Sequence, residues 1–172
     1  MRVCLCLLIT LSCVAMLGSG AANAVDYAVP FADLLYQQWD CLVVDHWSKV
    51  DDHNGTANSD NVYTLSTGGV TDQYDAHIDD GTYSGPYDHM QQVVWARSFG
   101  IREANELMAY YHTSLENVLG IDTLVPCGTE WIKFTSSTED PDTIEEFSLW
   151  GKRDLPAGYL RVDEIHVRYW SD

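Results

Sequence analysis

The chain has 172 residues, 46% hydrophobic and 12% aromatic, and its nine Lys and Arg stand against 26 Asp and Glu for a formal net charge of −17. A chain this apolar is not disordered, and one this acidic lacks the basic face that nucleic acid or an anionic membrane demands. The acid is spread along the chain, which is the pattern of a soluble, self-repelling surface.

Residues 1–24 read as a secretory signal. Arg2 supplies the positive start, Val3 to Leu17 is apolar except for Thr10 and Ser12, and Ala22-Asn23-Ala24 is a small-x-small cleavage site. The apolar run is short of the roughly 20 residues that a bilayer core needs. Cleavage after Ala24 leaves a secreted chain, 25–172, of about 148 residues, which suits one domain with a proper core.

Cys4, Cys6 and Cys13 lie in the leader, so Cys41 and Cys127 are the remaining pair. In an oxidising compartment they predict a disulfide. Closing a loop of about 86 residues is worth about 4 kcal/mol in the chain-entropy model. Asn54-Gly55-Thr56 is a glycosylation sequon within the polar stretch Asp51 to Asn61, which makes Asn54 a candidate glycan carrier. Asp72, Asp75, Asp79 and Asp80 cluster, but they lack the spaced-acid loop of an EF-hand, and no metal site is assigned.

Pro30 to His46 predicts a helix. Pro30 suits a first helical position, Asp33 suits the N-terminal dipole, and Leu34, Leu35, Gln38, Trp39, Leu42 and Val43 fall at helical spacing. Asn61 to Leu65 and Tyr74 to Ile78 read as short strands, with Gly68-Gly69 between them. Tyr87 to Ser98, opened by Gly85-Pro86 and stopped by Gly100, predicts a second helix. Ile101 to Leu119 fits both the helical and the strand period and stays open. Trp131 to Ser136, Ile144 to Lys152 and Tyr159 to Trp170 are strand-like runs. In the last, strict alternation puts Leu160, Val162, Glu164, His166, Arg168 and Trp170 on one face and Asp163, Ile165, Val167 and Tyr169 on the other. Sequential strands with short turns predict an antiparallel meander. The sum is an α+β domain, an N-terminal helix packed on a curved antiparallel sheet with a cavity between them.

Three segments carry a resemblance: the opening stretch with Phe31, Leu34, Leu35 and Trp39; Asn61-Val62-Tyr63-Thr64 leading to Gly81-Thr82-Tyr83-Ser84-Gly85; and the ending from Gly158-Tyr159-Leu160 to Trp170-Ser171-Asp172. This order is similar to the SnoaL-like group within the nuclear-transport-factor-two-like cone fold. The resemblance implies a small-molecule cavity, either for proton-transfer chemistry of isomerase or dehydratase kind or for binding alone, and a homodimer through the open sheet face. A second resemblance covers the latter half. Trp131-Ile132-Lys133-Phe134, Ile144 to Trp150 and Tyr159 to Ile165 resemble the end of a galactose-binding-type jelly roll, as in carbohydrate-binding modules. This alternative implies an all-β sandwich without catalysis.

No nucleophile elbow, zinc pair, phosphate loop or dinucleotide fingerprint is present, and no cofactor is implied. In the cone reading His166 is the leading acid–base candidate. It shares a strand face with Glu164, and a histidine titrates near neutral pH. His112, beside Tyr110 and Tyr111, is next. Asp75 and His77, two apart on a strand, share a side. Trp39, Tyr63, Tyr111, Trp131, Arg168 and Trp170 are the candidate ligand-binding residues. In the jelly-roll reading Trp47, Tyr74, Tyr83, Trp95 and Trp150 are candidates for a sugar-stacking platform.

Overall fold

The structure, a computed structural model, describes residues 25–41, 45–51, 61–64, 71–79, 86–100, 105–113, 118–152 and 158–172. The leader, Asn54, Asp80 and Tyr83 lie outside them.

Ten strands run through these residues: β1 (Val25–Gln37), β2 (Trp39–Asp40), β3 (Val62–Thr64), β4 (Thr71–Asp79), β5 (His89–Gly100), β6 (Asn105–Thr113), β7 (Val118–Val125), β8 (Ile132–Thr135), β9 (Ile144–Lys152) and β10 (Gly158–Trp170). The one helical element among the described residues is a 3-10 turn, Trp47–Lys49. The predicted α+β fold is thereby corrected. Among the described residues of the first predicted helix, 30–37 and 39–40 form strand, as do 89–98 of the second, and the open segment 101–119 contributes Asn105–Thr113 and the start of Val118–Val125, parts of two strands. Without the opening helix there is no lid for a cone, so the SnoaL-like reading and the cavity enzyme it implied are overturned.

The strands form two antiparallel sheets. The first runs β2-β3-β10-β5-β8 and the second β1-β4-β9-β6-β7. β1 joins them: Val25 to Ala28 pair with β10, and Val29 onward pairs with β4. From β3 onward the chain crosses repeatedly between the sheets, which is the winding of a jelly roll. Inward residues of both sheets, such as Val94, Val162 and Ile165 from the first and Leu107, Tyr111, Phe147 and Leu149 from the second, form one core. Each such side chain contributes about 1.5–3 kcal/mol by leaving water.

Cross-strand pairing overrides the helical spacing of the opening segment. Ala28 and Pro30 point into the core, and register shifts between Pro30 and Ala32 and between Asp33 and Gln37 break the alternation that would have marked a strand. Trp39 is buried against Thr64 and Gly151, and its indole N–H donates to the Asp72 carbonyl at 3.0 Å. Asp33 caps no helix. It accepts from the Trp47 and His46 amides at 2.8 and 3.0 Å and from the Tyr74 hydroxyl at 2.9 Å, pinning the 3-10 turn to the second sheet.

β10 also departs from strict alternation. Its register against β5 shifts between Val162 and Glu164. The extra residue, Asp163, is a bulge. Leu160 and Val162 therefore face the core together with Ile165, Val167 and Tyr169, all fully buried.

The predicted disulfide is not formed: Cys41 and Cys127 are thiols. Cys41 follows β2, whereas Cys127 bridges to Ser98 on the far side of β5. β3, β10 and β5 lie between them. At about 4.8 Å per strand, that separation exceeds the roughly 7 Å Cα limit for a disulfide.

Candidate functional site

The outward face of the second sheet is a regular grid. Reading across β4, β9 and β6, one row is Gln73, Trp150 and Met108. The next is Asp75, Ser148 and Tyr110, and the third is His77, Glu146 and His112. A strand period of two places these residues on one side, while Tyr74, Ala76, Phe147, Leu149, Ala109 and Tyr111 fill the core on the other.

The centre of this face is sunken. Asp75 is 9% exposed and Ser148 5%, although both point away from the core. Larger half-buried side chains stand around them. Tyr110 and Trp150 meet edge to face at 5.4 Å. Tyr110 also covers Gly120, its partner on β7: a β-carbon there would stand 2.3 Å from Tyr110 Cδ1. The missing side chain makes room for the phenol ring over this strand. Polar groups are fixed at the floor. The Gln73 amide donates to both Asp75 oxygens at 3.2 and 3.0 Å, and His112 Nε2 lies 3.2 Å from the Ser148 hydroxyl. Phe31, half exposed, stacks on His77 at 5.9 Å and extends the aromatic rim. Trp150 Nε1 has no hydrogen-bond partner among the described residues. Aromatic rings thus surround low-lying donors and acceptors on this face, a patch termed the trough below.

The outward face of the first sheet differs. At its middle, His166 Nδ1 lies 2.9 Å from Glu164 Oε1, both nearly or fully buried, and Tyr27 packs edge-on against the imidazole at 5.2 Å. Val50 and Asp51 run along this part of β10, where the Ile165 amide donates to the Val50 carbonyl at 2.9 Å. At one end Arg168 bonds Gln91 and lies over Trp170, 4.6 Å from the ring centre. At the other end stand Tyr63, Arg97, Phe99, Trp131, Tyr159 and Arg161.

The candidates read from the sequence are thus distributed over both faces and the core. His166, Glu164, Arg168, Trp170, Tyr63 and Trp131 belong to the first sheet's outer side and His112 to the second's. Trp39 and Tyr111 are core residues, as is Tyr74, whose hydroxyl is committed to Asp33. Burial and the Asp33 carboxylate raise the Tyr74 phenol far above its ordinary pKa, and burial with the Glu139 charge raises that of Tyr111. Of the platform candidates, Trp150 lines the trough and Trp95 lies on the other face. Asp72 and Asp75, three apart, fall on opposite faces of β4, so the acidic cluster is not gathered into one site. Asp75, His77 and His112 are brought together by the grid. Gln73, Ser148 and Tyr110 were not singled out, yet period-two reading of 71–79 and 144–152 aligns the first two with Asp75 and Trp150.

No protein-family model and no curated protein matches the chain. Among solved structures it is similar to a family 16 carbohydrate-binding module (17% identity, 64% of this chain and 77% of that one, TM-score 0.37). It is also similar to the CBM22-1 xylan-binding domain from Paenibacillus barcinonensis Xyn10C (12% identity, 88% and 99%, TM-score 0.43), and to a family 29 carbohydrate-binding module (10% identity, 86% and 90%, TM-score 0.40).

Proposed function

We propose that the chain is a secreted, non-catalytic carbohydrate-binding β-sandwich that takes a neutral saccharide in the trough on the second sheet. The observation that carries this reading is the sunken Asp75–Ser148 pair beside the Tyr110 and Trp150 rings. Sugar rings present C–H faces that pack on aromatic rings and an edge of hydroxyls that both donate and accept. Asp75 and Gln73 supply acceptors and donors at the floor, and Ser148, His112 and His77 supply groups that can do either. Asp75, Glu146 and Glu106 give this side carboxylates, which suit hydroxyl donors and repel anionic polymers. The leader-like residues 1–24 support a location outside the cell, where polysaccharides are met.

Affinity electrophoresis tests the reading. The chain is run through gels containing a neutral β-glucan, a xylan or a mannan. Retardation in at least one gel, abolished by Trp150→Ala, is the predicted result. Unaltered mobility in all of them contradicts it, and so does release of reducing ends, since the proposed role includes no turnover.

A further inference from the structure

Arg97 and Arg161 are direct partners across β5 and β10, on the outer side of the first sheet. Like charges placed opposite one another destabilise a sheet, and this chain has 26 acidic residues with which to neutralise them. Yet among the described residues neither guanidinium is within ion-pair distance of a carboxylate, and the Nε of each is buried without a hydrogen-bond partner. Aromatic rings hold them instead. Arg97 lies over Trp131, 4.6 Å from the ring centre. Arg161 lies 5.7 Å from Tyr159 and 5.9 Å from Tyr63, which pack edge to face at 5.5 Å. Arg97 Nη1 donates to the Thr129 carbonyl at 3.1 Å.

Between them lies a hollow of about 190 Å³ lined by Arg97, Phe99, Thr129 and Arg161. Phe99, which lines it, is 54% exposed, and Tyr159, the cross-strand partner of Phe99 on β10, is 39% exposed. A guanidinium whose face lies on a ring keeps its terminal Nη groups for a ligand, and two such N–H donors match an oxyanion in a two-point fork. The volume is below the range of about 300–1,000 Å³ for pockets that enclose a drug-sized ligand, so it suits one ring and its substituent.

We propose that this hollow is a second binding site, on the sheet opposite the trough, for a single sugar residue bearing an oxyanion, a carboxylate or a sulfate. The arginines take the anionic group and the Phe99 and Tyr159 rings take the sugar's C–H face. The ligand is a single anionic unit rather than a polyanion, because the net charge of −17 repels extended negative polymers. The inference stands apart from the trough and survives its failure.

The test is NMR titration of the chain with methyl glucuronide, glucose 6-sulfate, methyl glucoside and inorganic sulfate. The proposal predicts saturable shifts at Arg97, Phe99 and Arg161 with at least one of the two anionic sugars, at least tenfold weaker binding of methyl glucoside, and loss of the response in both Arg97→Gln and Arg161→Gln. Arg161→Lys, which keeps charge but not the fork, should weaken binding severalfold. Neutral saccharide binding at the trough should be unchanged in these variants. No response to either anionic sugar overturns the proposal. So does a response that persists in both glutamine variants, or inorganic sulfate binding as tightly as the sugars, which reduces the site to an anion contact without ring recognition.

Discussion

Asp75 and Ser148 are direct cross-strand partners on β4 and β9, and both are nearly buried although they point away from the core. A small acid and a small hydroxyl set below a ring of larger side chains make a floor. Its chemistry is hydrogen bonding, and its walls are the faces of Tyr110 and Trp150.

Trp150→Ala should weaken saccharide binding about tenfold or more. An aromatic contact is worth about 0.5–1.5 kcal/mol beyond its area, and a tenfold change is about 1.4 kcal/mol. Isothermal titration of wild type and variant with the saccharide that binds most tightly checks this. Equal affinities would remove Trp150 from the site.

Gly120→Ala should destabilise the domain by about 1–3 kcal/mol, the usual cost of forcing atoms into filled space. The new methyl would stand 2.3 Å from Tyr110 Cδ1 and 2.5 Å from the Ala109 carbonyl oxygen. The backbone oxygen cannot swing aside, so Tyr110 must lift and saccharide affinity should fall too. Urea denaturation measures the first effect and titration the second.

Stability should fall as pH rises above about 10, the ordinary tyrosine pKa. Tyr74 and Tyr111 have phenols raised above that value in the folded chain. Above it the unfolded chain gives up protons that the folded chain keeps, so the slope of stability against pH is negative. The contribution is complete below pH 10 and is lost above it. Urea midpoints at about pH 9 and about pH 11 report the slope. Tyr74→Phe should flatten it while costing about 1 kcal/mol near neutrality for the bond to Asp33. A midpoint that does not move with pH would contradict the burial of both hydroxyls.

With Cys41 and Cys127 unbridged, thiol titration of the denatured chain lacking residues 1–24 should count two reactive groups. Reductant should leave the urea midpoint unchanged. A midpoint that drops on reduction would show a disulfide after all.

The strands of the C-terminal half were legible because each is a run rich in β-branched and aromatic residues bounded by turn residues. Ile144–Lys152 is a strand as read, and the run Trp131 to Ser136 holds the shorter strand Ile132–Thr135. The opening half was not. Leu34-Leu35 and Leu42-Val43 are adjacent apolar pairs that mimic a helical stripe, and the irregular pairing of β1 hides its period. In β5 the inward Gln92 and Ser98 and the outward Val93 and Trp95 blur the two-residue pattern. Long-range pairing with β10 decides that segment, and local spacing does not carry it. The bulge at Asp163 was equally silent in the sequence, and it is what puts Leu160 on the core side. Of the trough, Asp75, His77, His112 and Trp150 were visible as separate residues. Their assembly required the register of β4 on β9 and β9 on β6.

The most direct measurement is a map of amide and indole NMR shifts on titrating a neutral oligosaccharide that binds. The account predicts the largest changes at Gln73, Asp75, Tyr110, His112, Ser148 and the Trp150 indole N–H, with the first sheet's outer side undisturbed. Shifts confined to Tyr63, Trp131 and Tyr159, or no saturable shift with any neutral saccharide, would contradict it.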